Sequence, residues 1–214
     1  MRPAPPLLRR LIVPRIGKSS TFSSDSRQLA LATRPTSGHA PHDKFTIHSK
    51  AVVCLDVDLK GDVTIGSGTI VHPKATIFAM AGPIVIGAGC IIEEAVIIVN
   101  RRKEVMRIGD SNLLEIGCRV ECPSIGEMNT VGARARIHHT VRLTNYCSIG
   151  AGCMVVPSED EVLDEYTVIY GPAAERRTWS GRGKIQEADL RQKHVEYLRE
   201  MLPKFNRLRR TEGA

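Results

Sequence analysis

Residues 47–82 decide the fold, and they read IHSKAV VCLDVD LKGDVT IGSGTI VHPKAT IFAMAG. An aliphatic residue opens each group of six, and a small or branched residue follows it four positions later. The opening row is Ile47, Val53, Leu59, Ile65, Val71 and Ile77, and the second row is Ala51, Val57, Val63, Thr69, Ala75 and Ala81. A hexapeptide period is the sequence signature of a parallel β-helix. Neither a heptad coiled coil nor a simple alternating strand keeps a step of six.

The period also predicts the geometry of the repeat. Three short strands with sharp turns between them close a triangular coil of about 18 residues. Successive coils stack at roughly 4.8 Å, so that backbone hydrogen bonds run between coils and both rows face inward. Hexapeptide β-helices are left-handed, in contrast to ordinary right-handed crossovers. We therefore predict an all-β solenoid, a left-handed parallel β-helix over residues 45–171, followed by a C-terminal α-helix.

Interruptions of the period mark where the coil changes length. Three residues are added after Ile77, one is missing before Ile125, and the polar run Asn100–Arg107 is an insertion that should bulge from a corner. Loops on a rigid scaffold often make contacts, so this insertion is a candidate binding element. Asn112 and Asn129 fall on the inward small position, where stacked amides can hydrogen-bond to each other along the solenoid.

The two ends of the chain have a different character. Residues 1–44 are rich in Pro, Ser and Arg, which predicts a disordered basic extension or, alternatively, a mitochondrial transit peptide. We expect a linker at 172–186, an amphipathic helix at 187–203 ended by Pro203, and a basic tail at 204–214. The apolar spacing of this helix is carried by Leu190, His194, Tyr197, Leu198, Met201 and Leu202. The helix should cover a side or an open end of the solenoid, or bind a partner.

The charge distribution argues against nucleic acid as a partner. The net charge is +7, yet residues 46–170 carry 11 Lys and Arg against 15 Asp and Glu. A nucleic-acid surface places its basic stripe on the folded body, where this chain is acidic. No apolar run approaches the roughly 18 residues of a membrane-spanning helix, so membrane insertion is not expected either.

Six cysteines occur in the repeat region: Cys54, Cys90, Cys118, Cys122, Cys147 and Cys153. Most of them fall on the small inward position, where a thiol packs as a small buried hydrophobe. We interpret them as reduced core residues. Cys118 and Cys122 have the spacing of half a metal site, but no second Cys or His pair accompanies them.

Several segments resemble the pointed-end subunits of dynactin, a family of hexapeptide-repeat proteins. These segments are Leu59–Gly66, Thr69–Ala75, Ala81–Gly87, Ile91–Ala95, Glu115–Cys118, Tyr166–Gly171 and Met201–Phe205. The resemblance covers about residues 45–208, and the Gly-Pro-Ile-Val-Ile-Gly and Ile-Glu-Glu segments are far more specific than the hexads. The N-terminal extension departs from the family pattern, and the insertion at Asn100–Arg107 is shorter than in animal members.

The resemblance implies a non-catalytic structural subunit of the dynactin pointed-end complex, in the cytoplasm and on the cytoskeleton. The implied partners are dynactin subunit 5 as a sister β-helix, the pointed-end actin-related protein, the scaffold subunit and, indirectly, dynein. The implied role is support of dynein-driven microtubule transport and of cargo linkage. No catalytic, cofactor-binding or metal-binding residue and no cofactor are implied.

A mitochondrial γ-class carbonic anhydrase is the first alternative, because that class shares the fold. Its chemistry needs zinc held by three histidines, with one open coordination position. The stretch Lys60–Asp62 lacks the Arg of that family, Val71 and Ile77 replace a Gln and a His, and Cys118 and Pro123 replace the spaced pair.

A hexapeptide acyltransferase is the second alternative, with a histidine as general base. Three of the seven histidines are considered for the enzyme alternatives, His72, His138 and His139, and only the last two could serve in this role. No two of the three have the spacing of a metal site, and the adjacent pair should face opposite sides of a strand.

Overall fold

A computed structural model describes residues 43–209, and in them three sheets, parallel except for the last strand of the second, surround one core. The first sheet contains β1 Lys44–Ile47, β4 Asp62–Ile65, β7 Ile84–Ile86, β10 Met106–Ile108, β13 Ser124–Ile125, β16 Val141–Leu143 and β19 Glu161–Leu163. The second contains β2 Val52–Val53, β5 Ile70–Val71, β8 Ile91–Ile92, β11 Leu113–Leu114, β14 Thr130–Val131, β17 Ser148–Ile149, β20 Thr167–Tyr170 and β21 Glu175–Thr178. The third contains β3 Asp58–Lys60, β6 Thr76–Ala79, β9 Ile97–Asn100, β12 Arg119–Val120, β15 Arg136–Ile137 and β18 Met154–Val155. The helix α1 spans Lys184–Phe205.

Each strand from β1 to β17 pairs with the strand three places further along the chain, which is the pattern of a three-sided solenoid. Ile47 lies beside Ile65, so the first coil takes 18 residues. Ile65 lies beside Ile86, Ile86 beside Ile108, and Ile108 beside Ile125, so the next coils take 21, 22 and 17 residues. The predicted β-helix and the predicted changes in coil length are confirmed.

The inward rows fill the core with Ile, Val, Leu and Cys side chains. All six cysteines are buried and free, and burial raises the pKa of Cys90 to about 11. Ala81 is the exception to the predicted rows, because its side chain is exposed. It belongs to the extra residues after β6, where the chain leaves the coil and the Ala81 N–H donates to the Asn100 carbonyl at 3.2 Å.

The predicted asparagine ladder is confirmed. The Asn129 backbone N–H and Nδ2 both donate to the Asn112 side-chain oxygen, at 2.8 and 3.0 Å. One coil further, the Cys147 N–H donates to the Asn129 side-chain oxygen at 2.7 Å. Both amides are fully buried, and hydrogen bonds along the stack compensate their desolvation.

The polar insertion is smaller than the sequence suggested. Asn100 and Met106 are buried, so only residues 101–105 leave the corner. The Asn100 amide group donates to the carbonyls of Gly82, Pro83 and Glu104 at 2.8–3.0 Å. One inward-facing amide thus ties the inserted loop to the preceding coil, which explains why a polar residue ends a buried strand.

The C-terminal part differs most from the expected boundaries. The predicted linker 172–186 contains β21, which pairs antiparallel with β20, and the first three residues of α1. The helix continues past Pro203, which lies in its last turn, and the Asn206 N–H still donates to the Leu202 carbonyl at 2.9 Å. Pro203 lacks the N–H of one helical hydrogen bond, but the following turn remains closed through Asn206.

The start of the predicted basic tail is part of the fold. The Leu55 N–H donates to the Arg207 carbonyl and the Arg209 N–H donates to the Val53 carbonyl, each at 2.8 Å. Leu208 forms an antiparallel bridge with Cys54. These bonds cover the first-coil edge of the second sheet, while residues 1–42 and 210–214, with most of the predicted extension and the end of the predicted tail, lie outside the described residues.

We predict that Ile86→Asp unfolds the solenoid, because Ile86 is 1% exposed and stacks between inward residues of two other coils. An unpaired buried carboxylate should cost on the order of 3–5 kcal/mol. The matched control is Val85→Asp, which changes the adjacent outward position beside the exposed Arg107. Urea denaturation should show the loss for the first variant alone; equal stability of the two variants would refute the inward assignment.

Candidate interaction surface

Helix α1 covers the outer face of the second sheet. In the first coils the outward residues of this sheet are apolar, and Val52, Ile70 and Ile91 are all buried although they point away from the core. The side chains of Val195, Leu198 and Leu202 are buried on the helix side of the same layer. Removing this much aliphatic surface from water holds the helix in place.

A buried arginine anchors the other half of the helix. Further along the second sheet the outward residue becomes Thr130, and Arg191 lies above it with only 7% of its surface exposed. Its guanidinium group donates to the Ser111 and Asn129 carbonyls at 2.9 Å and to Thr130 Oγ1 at 2.8 Å. Glu187, one turn earlier, accepts a further bond at 3.1 Å and supplies the countercharge. The planar fork of arginine suits such simultaneous donation.

An aromatic cluster fixes the beginning of α1. The ammonium group of Lys184 lies 4.0 Å from the ring centroid of Tyr146 and 5.1 Å from that of Tyr166, and it donates to the Tyr166 hydroxyl at 2.8 Å. The two tyrosine rings stack at 5.4 Å, and Trp179 meets Tyr166 edge-on at 5.9 Å. Cation–π attraction and the hydrogen bond hold the first helical residue against the late coils.

The apolar stripe predicted for the helix is only partly correct. Its buried stripe consists of Arg191, Val195, Leu198 and Leu202, whereas Leu190 and Tyr197 are 69% and 59% exposed. Arg191 is the main buried residue that the helical spacing does not predict, because the sequence gives no sign that a charged side chain will be buried. The actual stripe is rotated by about one residue, or roughly 100° around the helix axis.

A groove lies along one flank of the helix, between α1 and the second sheet. Its volume is about 310 Å³, and the residues that line it are Leu113, Glu187, Leu190, Arg191 and His194. Leu113 is the outward residue of β11 and packs only partly against the core.

His72 is a half-buried titratable group that directly follows β5. Its Nε2 atom has no hydrogen-bond partner among the described residues. Burial lowers the pKa of His72 below its ordinary value, the Glu94 carboxylate opposes this shift, and His194 on the helix adds to it. The neutral imidazole is therefore the form that the folded protein favours.

The residues considered for catalysis and metal binding are dispersed. His72 follows β5 in the second sheet, while His138 and His139 follow β15 in the third. The two adjacent histidines do not face opposite sides of a strand; they enter a turn, where their ring centroids lie 3.9 Å apart. Cys118 and Cys122 are both buried, and burial raises the pKa of each to about 12.

The other positions compared with carbonic anhydrase are ordinary parts of the repeat. Lys60 lies over the Phe78 ring on the outside of the third sheet, and Val71 and Ile77 are core residues. Within residues 43–209, no group of three or more His, Cys, Asp or Glu side chains is placed to hold a metal ion. No helix in that same range is long and apolar enough to cross a membrane.

Comparison with solved structures places the chain in a structural class. A hexapeptide transferase family protein from Anaplasma phagocytophilum matches 75% of this chain and 92% of its own, with a TM-score of 0.62 and 16% identity. Together with the hexad pattern and the three parallel sheets, this match defines a hexapeptide-repeat left-handed β-helix protein. At this identity the likeness concerns the fold alone.

Comparison with curated sequences gives the family. Dynactin subunit 6 of Danio rerio is 37% identical over 189 residues, which cover 83% of this chain and 93% of that protein. Dynactin subunit 6 of Xenopus tropicalis is 37% identical over 196 residues, which cover 86% and 94%. No protein-family model matches the sequence. The chain belongs to the dynactin subunit 6 family.

We predict that Arg191→Ala loosens the helix, because the Ser111 carbonyl and Thr130 hydroxyl lose a charged donor. The expected loss is about 2–3 kcal/mol, since hydrogen bonds to charged groups are worth roughly 1.5–3 kcal/mol. Hydrogen exchange of the α1 amides measures it directly. Arg191→Lys should lose part of this protection, and the exposed Lys193→Ala should lose none. Unchanged exchange in Arg191→Ala would contradict the anchor.

We predict that His72 makes the protein less stable in mild acid. The folded pKa lies below the unfolded value of about 6.5, so the unfolded chain binds the proton more readily. The neutral His72 side chain therefore leaves the folded state fully stable above about pH 6.5, and this stability is lost as the pH falls through the folded pKa of His72. Urea denaturation between about pH 8 and pH 5 should show a steeper decline for the native chain than for His72→Gln. The exposed His48→Gln is the control, and identical slopes for all three proteins would exclude His72.

Proposed function

We propose that the chain is a non-catalytic structural subunit of the dynactin pointed-end complex. The observation that carries this proposal is the sequence similarity to dynactin subunit 6 proteins over more than nine-tenths of their length. That similarity extends beyond the repeat, since 83–86% of this chain is more than the solenoid alone contains. In this role it would support dynein-driven transport along microtubules and the attachment of cargo, in the cytoplasm and on the cytoskeleton.

The architecture suits a subunit that works by contact. A stack of short strands tied by in-register hydrogen bonds presents flat sides that change little in shape. Within residues 43–209 no helix covers the third sheet, and its late end exposes Met154 of β18 and the following Val156 at 57% and 55%, with Arg136 beside Met154. Exposed apolar side chains among charged ones are typical of surfaces that meet another protein.

We infer the partners from the same family relationship. They are dynactin subunit 5 as a second β-helix, the pointed-end actin-related protein and the scaffold subunit, with dynein reached through the assembled complex. The loop at residues 101–105 is a second contact candidate besides the third sheet. Its Arg101 Nε lies 3.6 Å from a carboxylate oxygen of Glu121, which directly follows β12 of the third sheet, so the loop lies beside that sheet. The proposal involves no cofactor and no metal ion.

The test is affinity purification of the tagged full chain from its own cells, with mass spectrometry of its companions. We expect dynactin subunits to be recovered in comparable amounts, and equally with Val85→Asp, which alters an outward position of the first sheet. Ile86→Asp should lose them, because the solenoid that carries the contacts is unfolded. Recovery of mitochondrial complexes instead, or stoichiometric zinc with carbonic anhydrase activity in the purified chain, would overturn the proposal.

A further inference from the structure

Helix α1 carries a second row of largely apolar side chains that the solenoid does not cover. We call it the outer stripe, and it consists of Leu190, His194, Tyr197, Met201 and Phe205. The spacing of three or four residues places all five on one flank of the helix. Leu190 and Phe205 are 69% and 78% exposed, and His194 and Met201 are half-buried where the flank meets the sheet.

The outer stripe continues into the groove beside the helix. Leu190 and His194 line the groove from the helix, and Leu113 lines it from the second sheet. Ile116, at the corner that follows β11, is 48% exposed. Side chains from two elements therefore form one apolar strip along the helix. Strips of this kind are rare on surfaces that face only water, and they mark sites of contact with other proteins.

The charges around the strip indicate what chemistry would occupy it. Glu187 borders the groove on the helix side, and Glu94 and Glu115 lie at the adjoining corner of the solenoid. Glu115 directly follows β11, two residues after the groove residue Leu113, and the Gly117 N–H donates to the Glu94 carbonyl at 2.9 Å. Both residues therefore lie at the corner that follows the groove strand. Lys74 and Arg134 occupy the same corner on the flanking coils, which confines the acidic stretch to two coils.

We propose that a basic amphipathic α-helix of a partner protein docks along the outer stripe, with its apolar side chains in the groove and its Lys or Arg side chains toward Glu94 and Glu115. Helix-in-groove recognition uses apolar anchors at this spacing, and opposite charges at the rim fix register. The inference does not depend on membership of dynactin, since it rests on the surface of this chain alone.

A second copy of the chain fits this surface less well. A twofold dimer brings the same patch of each copy together, so each stripe would face the other and Glu94 would approach the acidic corner of its twin. The like charges of the two copies would repel each other and oppose association. A basic helix removes this repulsion and buries the same apolar residues.

The test is fluorescence anisotropy with a labelled synthetic helix of about 18 residues, made of a leucine stripe and lysines, added to the full chain. The same peptide with glutamates in place of lysines is the charge control. Three variants are compared: Leu190→Ser with Tyr197→Ser, Glu94→Gln, and Ile185→Ser. The last changes an 82% exposed residue outside the stripe and serves as the matched control. Thermal unfolding confirms that each variant retains its fold.

We expect the lysine peptide to bind the native chain and Ile185→Ser equally, and the double variant at least tenfold more weakly. Glu94→Gln should weaken binding several-fold and reduce its dependence on salt. Equal binding by the glutamate peptide, or equal affinity of all variants, would overturn the proposal. So would a concentration-dependent dimer of the native chain, seen by sedimentation, that the double variant abolishes. None of these results bears on the recovery of dynactin subunits from cells.

Discussion

In-register stacking of coils is the constraint on which the rest of the structure depends. Each inward residue must lie beside an inward residue of the next coil, because a shift by one position would turn the aliphatic row toward water. The chain obeys this rule although its coils differ by several residues in length. The extra residues leave at corners, as at residues 101–105, and Asn100 reconnects the strand to the coil before it. The register of the strands is fixed, so differences in coil length are confined to the corners.

The same stacking leaves open edges at both ends, and the C-terminal segment covers the edges of one sheet. At the late end, β21 pairs with β20; at the early end, residues 207–209 pair with β2 and its following turn. Helix α1 connects these two places across the outside of the second sheet. The C-terminal segment therefore caps both edges of the second sheet and covers its outer face. Unpaired edges are sites of unwanted association, so this arrangement also protects the solenoid.

The hexads allowed the three sheets, the changes in coil length and the Asn112–Asn129 ladder to be predicted, because these features follow from the period alone. The terminal segment could not be predicted in the same way. Whether Leu190 or Arg191 faces the sheet depends on how the helix is placed across strands that are distant in the chain. The carbonyls of Ser111 and Asn129 accept hydrogen bonds from Arg191 and determine that placement. The spacing of residues within the helix does not indicate that these carbonyls lie nearby. The turn that holds His138 and His139 was missed because a strand was extended by one residue too many.

The division between inward and outward positions also explains why the fold is shared with transferases while the sequence family differs. Inward residues repeat the same aliphatic pattern wherever this solenoid occurs, so they specify the fold and carry little information about function. Outward residues are free to differ, and in this chain they include Arg191 above the second sheet and Met154 on the third. Helix α1 shows both kinds of position on one element. Its buried stripe packs on the second sheet as the inward rows pack in the core, whereas its outer stripe leaves apolar side chains in water. Burial of that stripe against another molecule would remove this apolar area from water and so favour association.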